Sequence, residues 1–148
     1  MNDGTITHFL NVDLDIHLSA QKDLEDLARA FEPGASALHC DGHFANLELL
    51  GQPTDAESAI RRFAGLIKKL PPKARALWKK ASKRDFSIGV EAGIKPSSFE
   101  LALTPAVLKL AAEVGARITF VVYVNEAVSR SKASRGGPAR AAAKKPRR

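Results

Sequence analysis

From Ser129 to Arg148 the chain reads SRSKASRGGPARAAAKKPRR, with eight Lys or Arg, no acidic residue and nothing large and apolar. Such a stretch cannot bury enough surface to offset the entropy of ordering it, so a disordered basic tail is expected over 129–148. Any core must then come from residues 1–128. The same boundary decides how the charge is read. The whole chain is formally +7 with a pI near 9.8, yet residues 1–128 hold 15 basic and 16 acidic residues. The basicity belongs to the tail, and a high pI here does not imply a nucleic-acid-binding domain.

A stretch of this length makes one domain the natural count and buries roughly two-thirds of the surface its unfolded form exposes. The one cysteine, Cys40, excludes an internal disulfide and suits a reducing compartment. The N-terminus MNDGTITHFLNVDLD has neither the basic nor the long apolar region of a secretory signal. No apolar run approaches the ~20 residues of a membrane span. A cytoplasmic protein with no membrane partner is expected.

Leu10, Val12, Leu14, Ile16 and Leu18 alternate with Asn11, Asp13, Asp15 and His17, the pattern of a half-buried strand. Ser19 is placed to cap a helix over Gln21–Phe31, whose stripe is Leu24, Leu27, Ala28 and Phe31 and which Pro33-Gly34 stops. Asp41-Gly42 predicts a tight hairpin turn. In that register Cys40 opposes His43, Leu38 opposes Ala45 and Ser36 opposes Leu47, while His39, Phe44, Asn46 and Glu48 share the other face. Thr54 and Glu57 fit a capping box ahead of a helix burying Ile60, Phe63, Ile67 and Leu70. Pro71-Pro72 break it, and a shorter helix resumes at Lys73 with Ala74, Leu77, Trp78 and Ala81 inside.

Phe86, Ile88 and Val90 predict a fourth strand, and Phe99, Leu101 and Leu103 a fifth. Thr104-Pro105 opens a helix that Gly115 ends. Arg117–Val124 is a sixth strand, apolar enough for a central position. The order β-α-β-β-α-α-β-β-α-β predicts an α+β domain with a mainly antiparallel six-stranded sheet, helices on one face, like a ferredoxin-like repeat. Pro33-Gly34-Ala35 and Val114-Gly115-Ala116 occupy matching places, which hints at a duplicated strand–helix–strand unit.

The residues best suited to chemistry lie on the polar face of the first strand. If it neighbours the hairpin's second strand, Asp13, Asp15 and His17 lie near Asn46, Glu48 and His39. Carboxylates with imidazoles can ligate a metal or trade protons. The same pattern is also what a solvated sheet face produces, so Asp13, Asp15, His17, His39 and Glu48 are a candidate ligand or metal face with the metal unspecified. Cys40 and His43 lack the second ligand pair of a zinc site, and Asp41 beside Cys40 opposes thiolate formation. Trp78 among Lys79, Lys80, Lys83 and Arg84 has the composition of a nucleic-acid patch, but its helical spacing places it in the core. Neither GxxxxGK[ST] nor GxSxG occurs, no catalytic residue is assigned and no cofactor is implied.

The tail residues Arg130, Lys132, Arg135, Arg140, Lys144, Lys145, Arg147 and Arg148 suit a polyanion, and their binding would weaken steeply with salt. The stretch Arg84–Gly93 (RDFSIGVEAG) followed by SSFELALTPAVLKLAAEVGARITFVVYV resembles small uncharacterised bacterial proteins of the domain-of-unknown-function kind. That resemblance implies a closing strand–helix–strand unit and no activity. The tail is similar in composition to those of bacterial histone-like proteins. The residues thus read as a non-catalytic interaction module, immunity-type or regulatory, that meets a protein or small ligand and recruits it through a basic tail. Two alternatives are a sequence-independent nucleic-acid binder acting through the tail and a metal-dependent enzyme using the Asp/His face.

Overall fold

The computed structural model describes residues 5–125. Its elements are β1 (His8–His17), α1 (Gln21–Arg29), β2 (Ala35–Asp41), β3 (Phe44–Leu49), α2 (Ala56–Lys68), α3 (Pro72–Lys80), β4 (Lys83–Ala92), α4 (Pro105–Val114) and β5 (Arg117–Val124). The strands form one sheet in the order β2-β3-β1-β4-β5. β1 runs antiparallel to β3 and β4, β2 runs antiparallel to β3, and β4 and β5 are parallel. The class is α+β, with a mixed five-stranded sheet and four helices.

The expected six-stranded, mainly antiparallel sheet is therefore corrected in two places. Phe99, Leu101 and Leu103 form no strand. Their segment is irregular, with Phe99 exposed and Leu101 and Leu103 laid against the edge of the core. It carries the chain from the end of β4 to α4, and a parallel neighbour needs such a crossover. α4 then returns the chain, so β5 joins β4 in parallel. β5 also lies at the edge of the sheet, contrary to the central place its apolar sequence suggested.

The hairpin is shifted by one residue. Its turn is Gly42-His43, with Gly42 at φ 60°, so Asp41 faces Phe44 and Cys40 faces Ala45. A bulge at Leu38 resets the ladder, and Ala37 then faces Leu47. The outcome matches the burial needs of β3, whose Ala45, Leu47 and Leu49 are all buried. A second bulge, at Leu10 in β1, exposes that side chain and turns Phe9 toward the core in its place.

Helix ends differ from the expected caps. α1 begins after Ala20 with no side-chain cap. α2 is capped by Asp55, which accepts from the Ser58 N–H at 2.8 Å and the Ser58 hydroxyl at 2.7 Å. Glu57 is thereby released to accept from the backbone N–H of Thr104, tying α2 to the start of α4. Gly115 caps α4 in the left-handed region at φ 72°, as the sequence predicts.

One core lies between the helices and one face of the sheet. Val12, Leu14 and Ile16 of β1, Leu47 of β3 and Phe86 and Ile88 of β4 meet Leu24 and Leu27 of α1, Ile60 and Phe63 of α2 and Val107 of α4. Phe63 stacks on Phe86 with ring centres 6.1 Å apart. Trp78 is buried and donates its indole N–H to the Val114 carbonyl at 2.8 Å, satisfying the end of α4. It is a core residue that locks α3 to α4.

Candidate binding face

All four helices pack into that single core, so among the described residues the other face of the sheet carries no second layer. The ladders place Asn11, Asp13, Asp15 and His17 of β1 on it, with Phe44, Asn46 and Glu48 of β3 and His39 of β2. From the other side come Lys83, Asp85, Ser87 and Glu91 of β4, then Arg117 and Thr119 of β5. The expected adjacency of the first strand and the hairpin's second strand is present: Asp15 faces Asn46 and His17 faces Phe44.

The face divides into three groups. In the first, the Asn46 amide donates to Asp15 at 2.7 Å and to Asp13 at 3.4 Å, while Asn11 donates to the other oxygen of Asp13 at 3.0 Å. Burial pushes the Asp13 carboxyl above its usual value, and the nearby charges of Asp15 and Glu48 add to this, while the two amide donors oppose it. Among the described residues no basic side chain lies within ion-pair distance of Asp13, Asp15 or Glu48.

In the second group Phe44 gathers cations and rings. His17 meets its ring edge-on at 5.1 Å, His39 lies 6.0 Å away and the Lys83 ammonium sits 5.9 Å from its centre. The predicted His17 and His39 thus both pack against the Phe44 ring. Among the described residues no group of three or more His, Cys, Asp or Glu is placed to hold a metal ion.

The third group was not found from the sequence. Asp85 is buried on this face and receives two bonds from Arg117, one from Thr119 at 3.0 Å and the charge of Lys83 at 3.8 Å. Arg117 holds the Asp85 carboxyl below the usual carboxylate range, outweighing the opposing effect of burial. The alternation of β4 does put Asp85 on the polar face. What the sequence lacked was the β4–β5 adjacency that supplies its partner.

Cys40 does not face His43. It is half-buried opposite Ala45, and burial, with Glu25 and Asp41 nearby, raises its thiol pKa. A raised pKa leaves little thiolate for nucleophilic chemistry. The eight basic tail residues lie outside the described residues. Among the described residues no helix is long and apolar enough to cross a membrane. Comparison with protein-family models, curated proteins and solved structures finds no match, so the functional reading rests on these side chains.

Proposed function

We propose that this protein is a non-catalytic interaction module that binds a basic partner on the uncovered face of its sheet. The observation that carries the reading is the contrast between two carboxylate groups on that face. Asp85 has its own guanidinium, whereas Asp13, Asp15 and Glu48 are held in place by amides and have no cation within ion-pair distance among the described residues. Partly desolvated carboxylates without a counter-ion gain most from a cation that a partner brings. The immunity-type or regulatory form of this reading has the face occluding a basic surface of a target. The order β2-β3-β1-β4 built by β1-α1-β2-β3-α2-α3-β4 supports a ferredoxin-like first part whose second helical segment is split into α2 and α3, with α4 and β5 added beyond β4.

Nucleic-acid association through the tail is the second reading, favoured by eight basic residues without an acidic one in 129–148. One comparison separates the two. Three immobilised proteins are used to capture partners from the native lysate: the full chain, the Asp15→Lys/Glu48→Lys chain, and the chain lacking 129–148. Capture of the same basic protein by the first and third, lost in the second, supports the binding face. A partner lost with the tail and kept by the charge-reversed chain refutes it and assigns binding to the tail.

A further inference from the structure

The two edges of the sheet are built differently. β2 is broken by the bulge at Leu38 and preceded by Pro33, both of which blunt an edge against pairing. β5 has neither device. It runs eight residues, RITFVVYV, in unbroken register with β4, with no proline and its single charge at the first residue. Its outer side chains are large and open: Phe120 is 53% exposed, Val122 60%, Tyr123 54% and Val124 72%. An unprotected edge with apolar side chains on both faces is a template for another strand.

We infer that the occupant of this edge is the β5 strand of a second copy, paired antiparallel about a two-fold axis at Val121. Antiparallel partners share a face, so a self-pairing must keep even register. With the axis at Val121, Phe120 faces Val122 of the partner subunit and Thr119 faces Tyr123 of the partner subunit. Large thus meets small on both faces, and such cross-strand pairs stabilise a sheet. Charge agrees with this orientation. Residues 118–124 carry no charge, so two identical edges meet without repulsion. Arg117 is brought opposite the neutral Asn125 of the partner subunit, so the one charged side chain of each strand meets no like charge.

The basic residues of 129–148 lie C-terminal to Asn125, and antiparallel pairing puts the two copies' Asn125 at opposite ends of the interface. The tails offer no large apolar side chain, which disfavours residues 129–148 of the same chain as the occupant of the edge. The four exposed side chains contribute on the order of 400 Å² per protomer. That is roughly half of a standard interface side before the strand backbone is added. The axis stands perpendicular to the sheet, so both helical layers lie on one side and the two uncovered faces become continuous.

Sedimentation of the full chain across a concentration series tests this, beside Val122→Lys and Tyr123→Lys. The expected result is a species of twice 15.9 kDa for the native chain and monomers with unchanged far-ultraviolet circular dichroism for both variants. In a Cys40→Ala background, Val121→Cys is expected to cross-link on oxidation and Val124→Cys is not, because only residue 121 meets its own copy. A native chain that stays monomeric, or a dimer that survives both lysine variants, overturns the proposal. A dimer lost on removal of 129–148 overturns it in favour of a tail-mediated contact. A dimer in which Val121→Cys does not cross-link overturns the register.

Discussion

Asp85 and Arg117 are joined across neighbouring strands by two parallel hydrogen bonds, Nε to Oδ1 and Nη2 to Oδ2, each 2.8 Å. The pair is lopsided: the carboxylate is 1% exposed and the guanidinium 72%. The carboxylate therefore has nowhere else to find donors, whereas Arg117 can return to water if its partner is lost. In the parallel β4–β5 pair, where strand pairing is slightly weaker than in an antiparallel ladder, this clamp pins the first residue of β5 to β4.

Acid should weaken this clamp. The folded-state pKa of Asp85 lies below its unfolded value, so its stabilisation is complete above about pH 4 and disappears as pH falls through the depressed folded value. Asp85→Asn should cost about 1–2 kcal/mol at pH 7, because a charged acceptor is replaced by a neutral one. Urea unfolding of both chains at pH 7, 5, 4 and 3 checks this. The gap between them should narrow toward the acid end; a gap that stays constant with pH removes the clamp from the account of stability.

Asp13 should behave with the opposite sign. Burial raises its folded-state pKa, so its ionised form costs stability at neutral pH, and the cost is relieved as pH falls through the raised value. Asp13→Asn removes the charge and keeps one oxygen to accept from Asn11, giving up only the longer 3.4 Å bond from Asn46, which still donates to Asp15. The variant is expected to melt above the native chain at pH 7, with the difference vanishing toward pH 3. A variant that melts lower at pH 7 would mean that the ionised carboxylate is already stabilised by groups around it.

The alternation Leu10–Leu18 gave β1 and its polar face because a side-chain period of two is a local property. Asp15 beside Asn46, and His17 beside Phe44, followed from that face and the hairpin. The bulges at Leu10 and Leu38 were hidden, since one extra residue changes the register without changing composition. The place of β5 was hidden for another reason. An apolar, β-branched run reads as central whether its second edge is covered or open, and among the described residues no strand pairs with the second edge of RITFVVYV. Phe99, Leu101 and Leu103 alternate like a strand, but the crossover to α4 needs that stretch to span the end of the sheet. The Asp85–Arg117 pair, 32 residues apart, depends on that same crossover.

Gly93 is the residue whose replacement should expose how the N-terminal segment is held. Thr7 donates its backbone N–H to Lys95 at 2.7 Å, and Ile94 and Lys95 both donate to the Thr5 carbonyl, at 2.8 and 2.9 Å. The Thr7 hydroxyl accepts from the Gly93 N–H at 2.8 Å and lies 3.3 Å from the Gly93 carbonyl. A Cβ on Gly93 would press on the Thr5 carbonyl oxygen and stand 2.6 Å from its carbon. Those are backbone atoms inside this hydrogen-bonded strap, so relief requires the strap to move. Gly34 offers a control: its Cβ would meet Leu66 Cδ2 at 2.7 Å, the free end of a flexible side chain. Gly93→Ala is therefore expected to cost about 1–3 kcal/mol, the usual range for overpacking, and Gly34→Ala less. Hydrogen exchange gives the sharper readout. The Thr7, Ile94 and Lys95 amides should lose protection in Gly93→Ala and keep it in Gly34→Ala, whereas equal protection in both would show that the strap absorbs a methyl group without opening.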